Sequence, residues 1–308
     1  MSLLSRPTDL SRRSLTVGLH GVGLLGPGIA AWPQVFELMR TGQGPPLAAT
    51  LLPTPLRLPG AERRRAGAAI KVAIAVADEA VLQAGADPQF LATVFTASNG
   101  EGANCHNLCE TLASPDRSVS PTRFTNSVHN AAAGYWHIAV ASRAASTSLC
   151  GFDASFGAGL LEAVTQVATT HEAVLLVATD TPYPEPLNAK RPVRDNFGLA
   201  LLLTPPHRSG GLAQLHCSLR SAPHEMPATH CRHAGFETLR RWLPAAAGLA
   251  LLEAVAEFAR PLTRALTRPP ARPLTNPLTH PAAARREQRV VVDCPPALQL
   301  HIEVTAPC

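Results

Sequence analysis

Four stretches of this sequence bring together residue types that do chemistry. The first is Leu149-Cys150-Gly151-Phe152-Asp153-Ala154-Ser155-Phe156-Gly157-Ala158-Gly159, where an apolar run gives way to small residues. A strand-to-helix junction of that kind offers unpaired N–H groups and the positive end of a helix dipole, a place where enzymes hold a nucleophile. Cys150 and Ser155 are the nucleophiles at hand, and an acyl-thioester hydrolase or acyltransferase is the chemistry they would support. Ser155 lacks the first glycine of G-x-S-x-G, because Asp153 stands there. Asp153 sits where an N-cap belongs, so its carboxylate is expected to accept an N–H of the following helix. Cys150 lies on the strand side and is expected to be buried and inert.

The second stretch, Gly21-Val22-Gly23-Leu24-Leu25-Gly26, fits the dinucleotide fingerprint G-x-G-x-x-G. That fingerprint wants an acid about 20 residues on to hold a ribose. No Asp or Glu occurs between Glu37 and Glu62, so we read a tight structural turn and expect no cofactor. The third and fourth are Cys105-His106 with Cys109, and His230-Cys231-Arg232-His233. Neither has the paired ligand spacing of a zinc site, although Cys105 and Cys109 would share a helix face, and no metal is expected. His129, beside Asn130, precedes an expected helix and is read as a structural histidine within reach of a pocket.

The elements that must position these residues alternate. Ser14–His20 reads as a first buried strand, Trp32–Arg40 as a short helix, and residues 41–60, with five Pro and three Gly, as a surface loop. Glu62–Ala84 is the clearest helix: Ile70, Ile74, Ala77 and Val81 form one stripe and Gly85 stands at C′. Phe90–Ala97, Ser146–Cys150, Ala173–Thr179, Phe197–Thr204 and Leu212–Leu219 read as strands, and Ala131–Ser142 and Ala154–Thr170 as helices. Continuous apolar strands between helices indicate an α/β sheet covered on both faces. After about residue 221 the pattern changes. Ser221–Arg232 reads as a loop, Leu239–Ala265 as a helix broken at Pro244 and Pro261, residues 266–286 as a Pro-rich linker, and Val290–Asp293 and Leu298–Val304 as two final strands. The division is thus 1–220 for the α/β domain and 221–308 for an irregular C-terminal extension.

Composition narrows the classes. The chain has 308 residues, 46 % of them apolar and 16 % charged, which describes a globular protein. With only 14 aromatic residues, a stacking platform for nucleic acid is disfavoured. Residues 1–206 are neutral, with 15 basic and 15 acidic side chains, whereas residues 207–308 carry 12 Arg and 7 acids. Those arginines are dispersed, and nucleic acid is not expected as a partner. The start shows no signal-peptide run, and no stretch reaches the ~18 apolar residues of a membrane span. Seven Cys with scattered spacing read as reduced thiols, and a cytoplasmic location is expected.

Six blocks in register raise a resemblance. The segment around Asp153 is similar to the active-site segment of β-ketoacyl synthases of the thiolase superfamily: a strand, then C-A-S/T, then a small-residue helix. Leu15–Gly28 resembles that family's opening strand and T-G-x-G turn, Glu62–Gly85 its long helix ending in A-x-x-x-A-G, and Phe95–Gly102 the next strand and glycine loop. Ser120–Gly134 (SPTRFTNSVHNAAAG) resembles the S-P…N…N-A-x-A-G segment before the nucleophile, and Ala173–Asp180 the strand after it. Aligned on Ala154-Ser155 and Glu162-Ala163, the family's nucleophilic Cys falls on Asp153. The half of a ketosynthase that carries two catalytic His has no counterpart after Arg220.

The resemblance implies a thiolase-like α/β fold, one mixed five-stranded layer from the ketosynthase N-terminal half with helices on both faces. It is closest to the short ketoacyl-synthase-like N-terminal domain family, whose members resemble chain-length-factor partners of aryl-polyene or pigment-type ketosynthases. It therefore implies a non-catalytic subunit in fatty acid or polyketide biosynthesis, a heterodimer with a full-length ketosynthase, and an acyl carrier protein as a further partner. It assigns no catalytic residue: on the family's alignment Asp153 holds the nucleophile position, and Cys150, Ser155 and His129 are the candidates left. The alternative is a stand-alone acyl-thioester hydrolase or acyltransferase on Ser155 or Cys150, and a third reading is a nucleotide-binding reductase on Gly21–Gly26. The helix Ala154–Thr170 is expected to bare an apolar, glycine-rich face that the extension covers in part.

Overall fold

The apolar run that starts at Leu15 does not end at His20. Strand β1 spans Leu15–Leu25, so Gly21 and Gly23 lie inside a strand and not in a turn. A Cβ added at Gly21 would stand 2.0 Å from the carbonyl oxygen of Ala80, and one at Gly23 1.9 Å from that of Val76. These glycines let a helix lie directly on the strand, which corrects the turn reading and leaves no loop to cradle a phosphate. The turn comes later, where Gly26 and Ile29 exchange backbone hydrogen bonds of 3.0 and 2.9 Å.

The computed structural model of the protein describes residues 14–221, 227–258, 287–295 and 297–307. After β1 come α1 (Trp32–Thr41), α2 (Gly60–Arg65), α3 (Ala68–Ala84), β2 (Ala92–Thr96), α4 (Gly102–Ala113), α5 (Pro121–Thr125) and α6 (Ala131–Ala139). Then follow β3 (Ser146–Leu149), α7 (Ser155–Thr170), β4 (Val174–Asp180), α8 (Leu187–Lys190), β5 (Phe197–Thr204) and β6 (Ala213–Ser221). The chain continues through α9 (Ala234–Trp242), α10 (Leu249–Phe258), β7 (Gln288–Cys294) and β8 (Leu298–Thr305). The helix expected over Glu62–Ala84 is two helices, because Gly67 lets the Glu101 carboxyl come close to the start of α3: a Cβ there would lie 2.5 Å from Glu101 Oε1. Gly85 ends α3 as read, with φ of 59° and its N–H on Leu82 O. The helix expected from Leu239 begins earlier and breaks at Pro244, where a 3₁₀ turn, Pro244–Gly248, joins α9 to α10. Pro261 and the Pro-rich stretch 266–286 lie outside the described residues.

The strands form one eight-stranded sheet in the order β3-β2-β4-β5-β1-β6-β8-β7. β2 pairs in parallel with β3 and β4, and every other pair is antiparallel. The five-stranded layer read from the sequence is its first part. The final strands, expected to be irregular additions, extend it: β8 lies along the whole of β6, from Gln214 opposite Thr305 to Ser221 opposite Leu298. β6 follows β1 only from Leu15 to Leu19. Beyond that point side chains of α3 replace the missing strand. Gln83 Oε1 accepts the Val22 N–H at 2.6 Å, and the Glu79 carboxylate accepts those of Leu24 and Trp32 at 2.8 and 2.6 Å. Burial pushes the Glu79 carboxyl up to about 7, against the pull of these two N–H groups.

Two apolar cores flank the sheet. α3 and α6 cover one face with Ile70, Ile74, Ala77, Val81 and Trp136. On the other, α7 buries Phe156, Leu160, Ala163, Val164 and Val167 at helical spacing. The two glycines of α7 face different neighbours: a Cβ at Gly157 would sit 2.0 Å from Asp293 O of β7, and one at Gly159 2.7 Å from Thr96 Cγ2 of β2. Leu249, Leu252 and Val255 of α10 complete this core. Among the described residues no helix is long and apolar enough to cross a membrane.

Candidate functional site

β3 ends at Cys150-Gly151, a 3₁₀ turn covers Phe152–Ala154, and α7 begins at Ser155. Phe152 has φ of 54°, the left-handed region that a bulky L-residue adopts only when its surroundings enforce it. The enforcing group is Arg191. Its guanidinium lies 3.8 Å from the centre of the Phe152 ring, forms an ion pair with Asp153, donates to the Tyr183 hydroxyl, and reaches Ser98 Oγ at 3.4 Å. Behind it stands Asp180, 1 % exposed. One carboxylate oxygen accepts from Ser98 N at 2.9 Å and from Ser98 Oγ, and the other accepts from Ala245 N at 2.6 Å. Burial pushes the Asp180 carboxyl up, while these donors and the Arg191 charge pull it down.

Asp153 is not an N-cap. The first turn of α7 has no side-chain cap, and the carboxylate, 69 % exposed, turns to Arg191 instead. Ser155 takes up the local backbone bonding: its Oγ accepts from Gly151 N at 2.9 Å and lies 2.6 Å from Phe152 O, and the residue is 2 % exposed. Cys150 is exposed, contrary to the buried thiol expected, because β3 is an edge strand. Its Sγ donates to Ser98 O at 3.6 Å. A cavity of about 460 Å³ opens beside Phe152 and Asp153, bounded on the far side by Thr229, Arg241, Trp242 and Val292, and among the described residues neither Cys nor His lines it.

His129 is exposed and stands apart from Asp153, over a space of about 20 Å³ between Glu101 and Val128, room for about one water. Cys105 and Cys109 do share one face of α4, where burial and the neighbouring thiol push Cys105 up. His106 turns to Glu110 at 3.2 Å. In the other cluster His233 Nδ1 accepts Gly235 N at 3.0 Å and so caps α9, while Cys231 is buried. Among the described residues no three His, Cys, Asp or Glu side chains converge as metal ligands. The residues that build the turn, Arg191, Tyr183, Ser98 and Asp180, are ones that sequence reasoning missed. Asp180 ends a recognisable strand, but Tyr183 and Arg191 lie in a loop without periodicity.

Fold and topology together define a thiolase-like ketosynthase layer. The chain belongs to the family described as beta-ketoacyl synthase, N-terminal domain, which matches residues 33–255. No curated protein matches the sequence. Among solved structures, a ketosynthase (ApeO) in complex with its chain length factor (ApeC) from Xenorhabdus doucetiae superposes with a TM-score of 0.61 at 22 % identity, over 94 % of this chain and 99 % of that one. The ishigamide ketosynthase/chain length factor gives 0.65 at 13 % identity, over 96 % and 100 %. AntDE:AntF, a type II PKS acyl-carrier protein in complex with its ketosynthase, gives 0.67 at 12 % identity, also over 96 % and 100 %. At these identities the likeness is one of fold.

Proposed function

We propose that this chain is a non-catalytic, chain-length-factor-like partner subunit that forms a heterodimer with a full-length ketosynthase. One observation carries the reading: at the turn that the resemblance aligns with a condensing enzyme's thiolate, the Asp153 carboxylate is tied to Arg191, beside a cavity that no thiol or imidazole of the described residues lines. Condensation needs a nucleophile that accepts an acyl group from a thioester and a base or hydrogen-bond donor for the decarboxylated partner. A carboxylate attacking a thioester would yield a labile anhydride. The stand-alone hydrolase or acyltransferase is the weaker reading, since the Ser155 hydroxyl is buried in the turn's own hydrogen bonds.

The surface suits a partner. β3 is a four-residue edge strand, and beside it runs a groove of about 360 Å³ lined by Asn130, Ala133, Gly134, His137, Ser146 and Ser148. Leu112 of α4, Phe124 of α5, Val128 of the turn that follows and Ile138 of α6 stand exposed. An apolar surface of this kind marks an interaction site. In this reading residues 1–220 form the ketosynthase-like unit, residues 221–308 the extension that closes α7, and the complex works in the cytoplasm on carrier-protein-bound chains of the aryl-polyene type. The test is a condensation assay with malonyl and acyl carrier protein substrates, followed by mass spectrometry. The pure chain yields no ketoacyl product, whereas co-purification with a ketosynthase of its own genome yields an active pair. Product from the pure chain, or failure to associate with any such ketosynthase, overturns the reading.

A further inference from the structure

Residues 42–59 join α1 to α2 without helix or strand, and the fold pins them along their length. The carbonyl of Pro46 lies against Gly28, where an added Cβ would stand 2.0 Å from its oxygen. Thr50 donates from N to Asp195 Oδ2 at 3.1 Å and from Oγ1 to Asn196 O at 2.7 Å. Leu58 is buried in the core that α3 covers. Gly28 follows the end of β1, and Asn196 precedes β5, whose Gly198 stands opposite Leu25. A Cβ at Gly198 would lie 2.4 Å from Val72 Cγ1, so the N-terminal part of α3 lies over this same end. The loop, α2 and the start of α3 therefore share one end of the sheet.

The pins leave the other side chains of the loop in solvent. Leu47, Leu51 and Leu56 are 106 %, 85 % and 75 % exposed. Every exposed residue from Pro46 to Leu56 is Pro, Leu, Ala or Thr, and no charge occurs between Arg40 and Arg57. Exposed leucines scattered singly are ordinary, but three on one pinned, uncharged segment form a ridge that calls for cover. Charge changes abruptly where the ridge ends. Residues 57–71 carry five basic side chains and one acid, Glu62. Arg57 pairs with Asp78, and Arg65 with Glu62 at 3.4 Å. Among the described residues no ion pair holds Arg63 or Arg64 of α2.

We propose that this end of the sheet docks on an anionic lipid surface. Leu47, Leu51 and Leu56 enter the boundary between headgroups and acyl chains, and Arg63 and Arg64 meet the lipid phosphates. Interfacial binding of this kind scales with buried apolar area and with attraction to anionic lipid, and basic residues beside the apolar ones supply the second part. The leucines stand four and five positions apart on irregular chain, as separate prongs. A fluid surface closes around separate prongs, whereas a protein partner would need one groove shaped to all three. The Pro residues of the loop lack an N–H, which lowers the cost of bringing its backbone to the lipid boundary. The proposal does not rest on the partner-subunit reading: the loop is pinned to the start of β5, three places from β3 in the sheet.

The experiment mixes the full chain with vesicles of equal parts phosphatidylglycerol and phosphatidylcholine, or of phosphatidylcholine alone, and reads the bound fraction by sedimentation. The chain is expected to bind the anionic vesicles, weakly or not at all the neutral ones, and to be released by salt. L47S/L51S/L56S changes only exposed side chains, and R63E/R64E reverses the two unpaired charges; circular dichroism verifies that each keeps the fold. Each should lower the partition coefficient about tenfold or more. L112S/F124S, exposed apolar positions on α4 and α5, should leave it unchanged. No association with the anionic vesicles overturns the proposal. So does binding that is unchanged in L47S/L51S/L56S or in R63E/R64E, or that falls equally in L112S/F124S. Loss of co-purification with a ketosynthase in L47S/L51S/L56S, with vesicle binding unaffected, makes the occupant of the ridge a protein and overturns it as well.

Discussion

Removing either half of the Asp153–Arg191 pair should have unequal effects, and the structure fixes the sense of the inequality. Asp153 is 69 % exposed and Arg191 19 %. An ion pair with one solvated member contributes about 0.2–1 kcal/mol, so D153A should cost no more than that. A capping role for Asp153 would instead put its removal at about 0.5–2 kcal/mol. R191A removes the contact with the Phe152 ring, the hydrogen bond to Tyr183 and the cation nearest the buried Asp180. A cation–π contact and a hydrogen bond each contribute about 1 kcal/mol, and a buried carboxylate losing its cation adds more, for a sum of about 2–4 kcal/mol. Urea unfolding monitored by circular dichroism reads the difference directly: with m near 2 kcal/mol/M, R191A should lower the midpoint by about 1–2 M and D153A by under about 0.5 M. Equal losses would refute the reasoning, because they would make the exposed carboxylate the element that holds the left-handed Phe152 in place.

Three further outcomes are expected. Glu79 is held at about 7 in the folded chain against 4.5 unfolded, so the folded state keeps a proton that the unfolded state releases; its contribution is fully present below 4.5 and lost as pH rises through 7. E79Q should flatten the fall in stability between pH 5 and 8 by up to about 3 kcal/mol relative to the parent, and parallel pH profiles would count against this. G23A forces a Cβ to 1.9 Å from Val76 O and should cost at least about 2–3 kcal/mol or abolish soluble expression, whereas G134A, with nothing within 4 Å of its Cβ, should stabilise α6 by about 0.5–1 kcal/mol in thermal melts. S148D places a charge on the edge strand and should abolish co-purification with the ketosynthase while leaving this chain folded, over an interface expected to bury more than about 2,000 Å².

The order of the main strands and of α1, α3, α6 and α7 was legible because most of them carry an apolar run or a helical stripe. α7 and Gly85 fall where pattern and cap chemistry put them. What escaped was long-range. Gly21 and Gly23 look like a turn until α3 is laid on them, and β8 looks like a stray strand until it is paired with β6. α4 has no buried residue and so left no apolar stripe to read. At the site, Asp153 was found by register with the family, but its partner was not. Arg191 lies 38 positions away in an aperiodic loop, and only the fold brings its guanidinium onto Phe152.

The pairing of β6 with β8 also sets an order of assembly. β7 and β8 follow the other six strands in chain order, so they are synthesised after them. Until β7 and β8 are added, β6 is an open edge and Gly157 of α7 lacks the backbone it packs on. During that interval the first five strands and their helices can pair, but the cavity beside the Asp153 turn lacks the wall that Val291, Val292 and Asp293 supply. The C-terminal strands thus act as a late closing segment, and a chain halted before Gln288 would offer an unpaired strand edge and a bare apolar helix together, the combination on which folding intermediates associate wrongly.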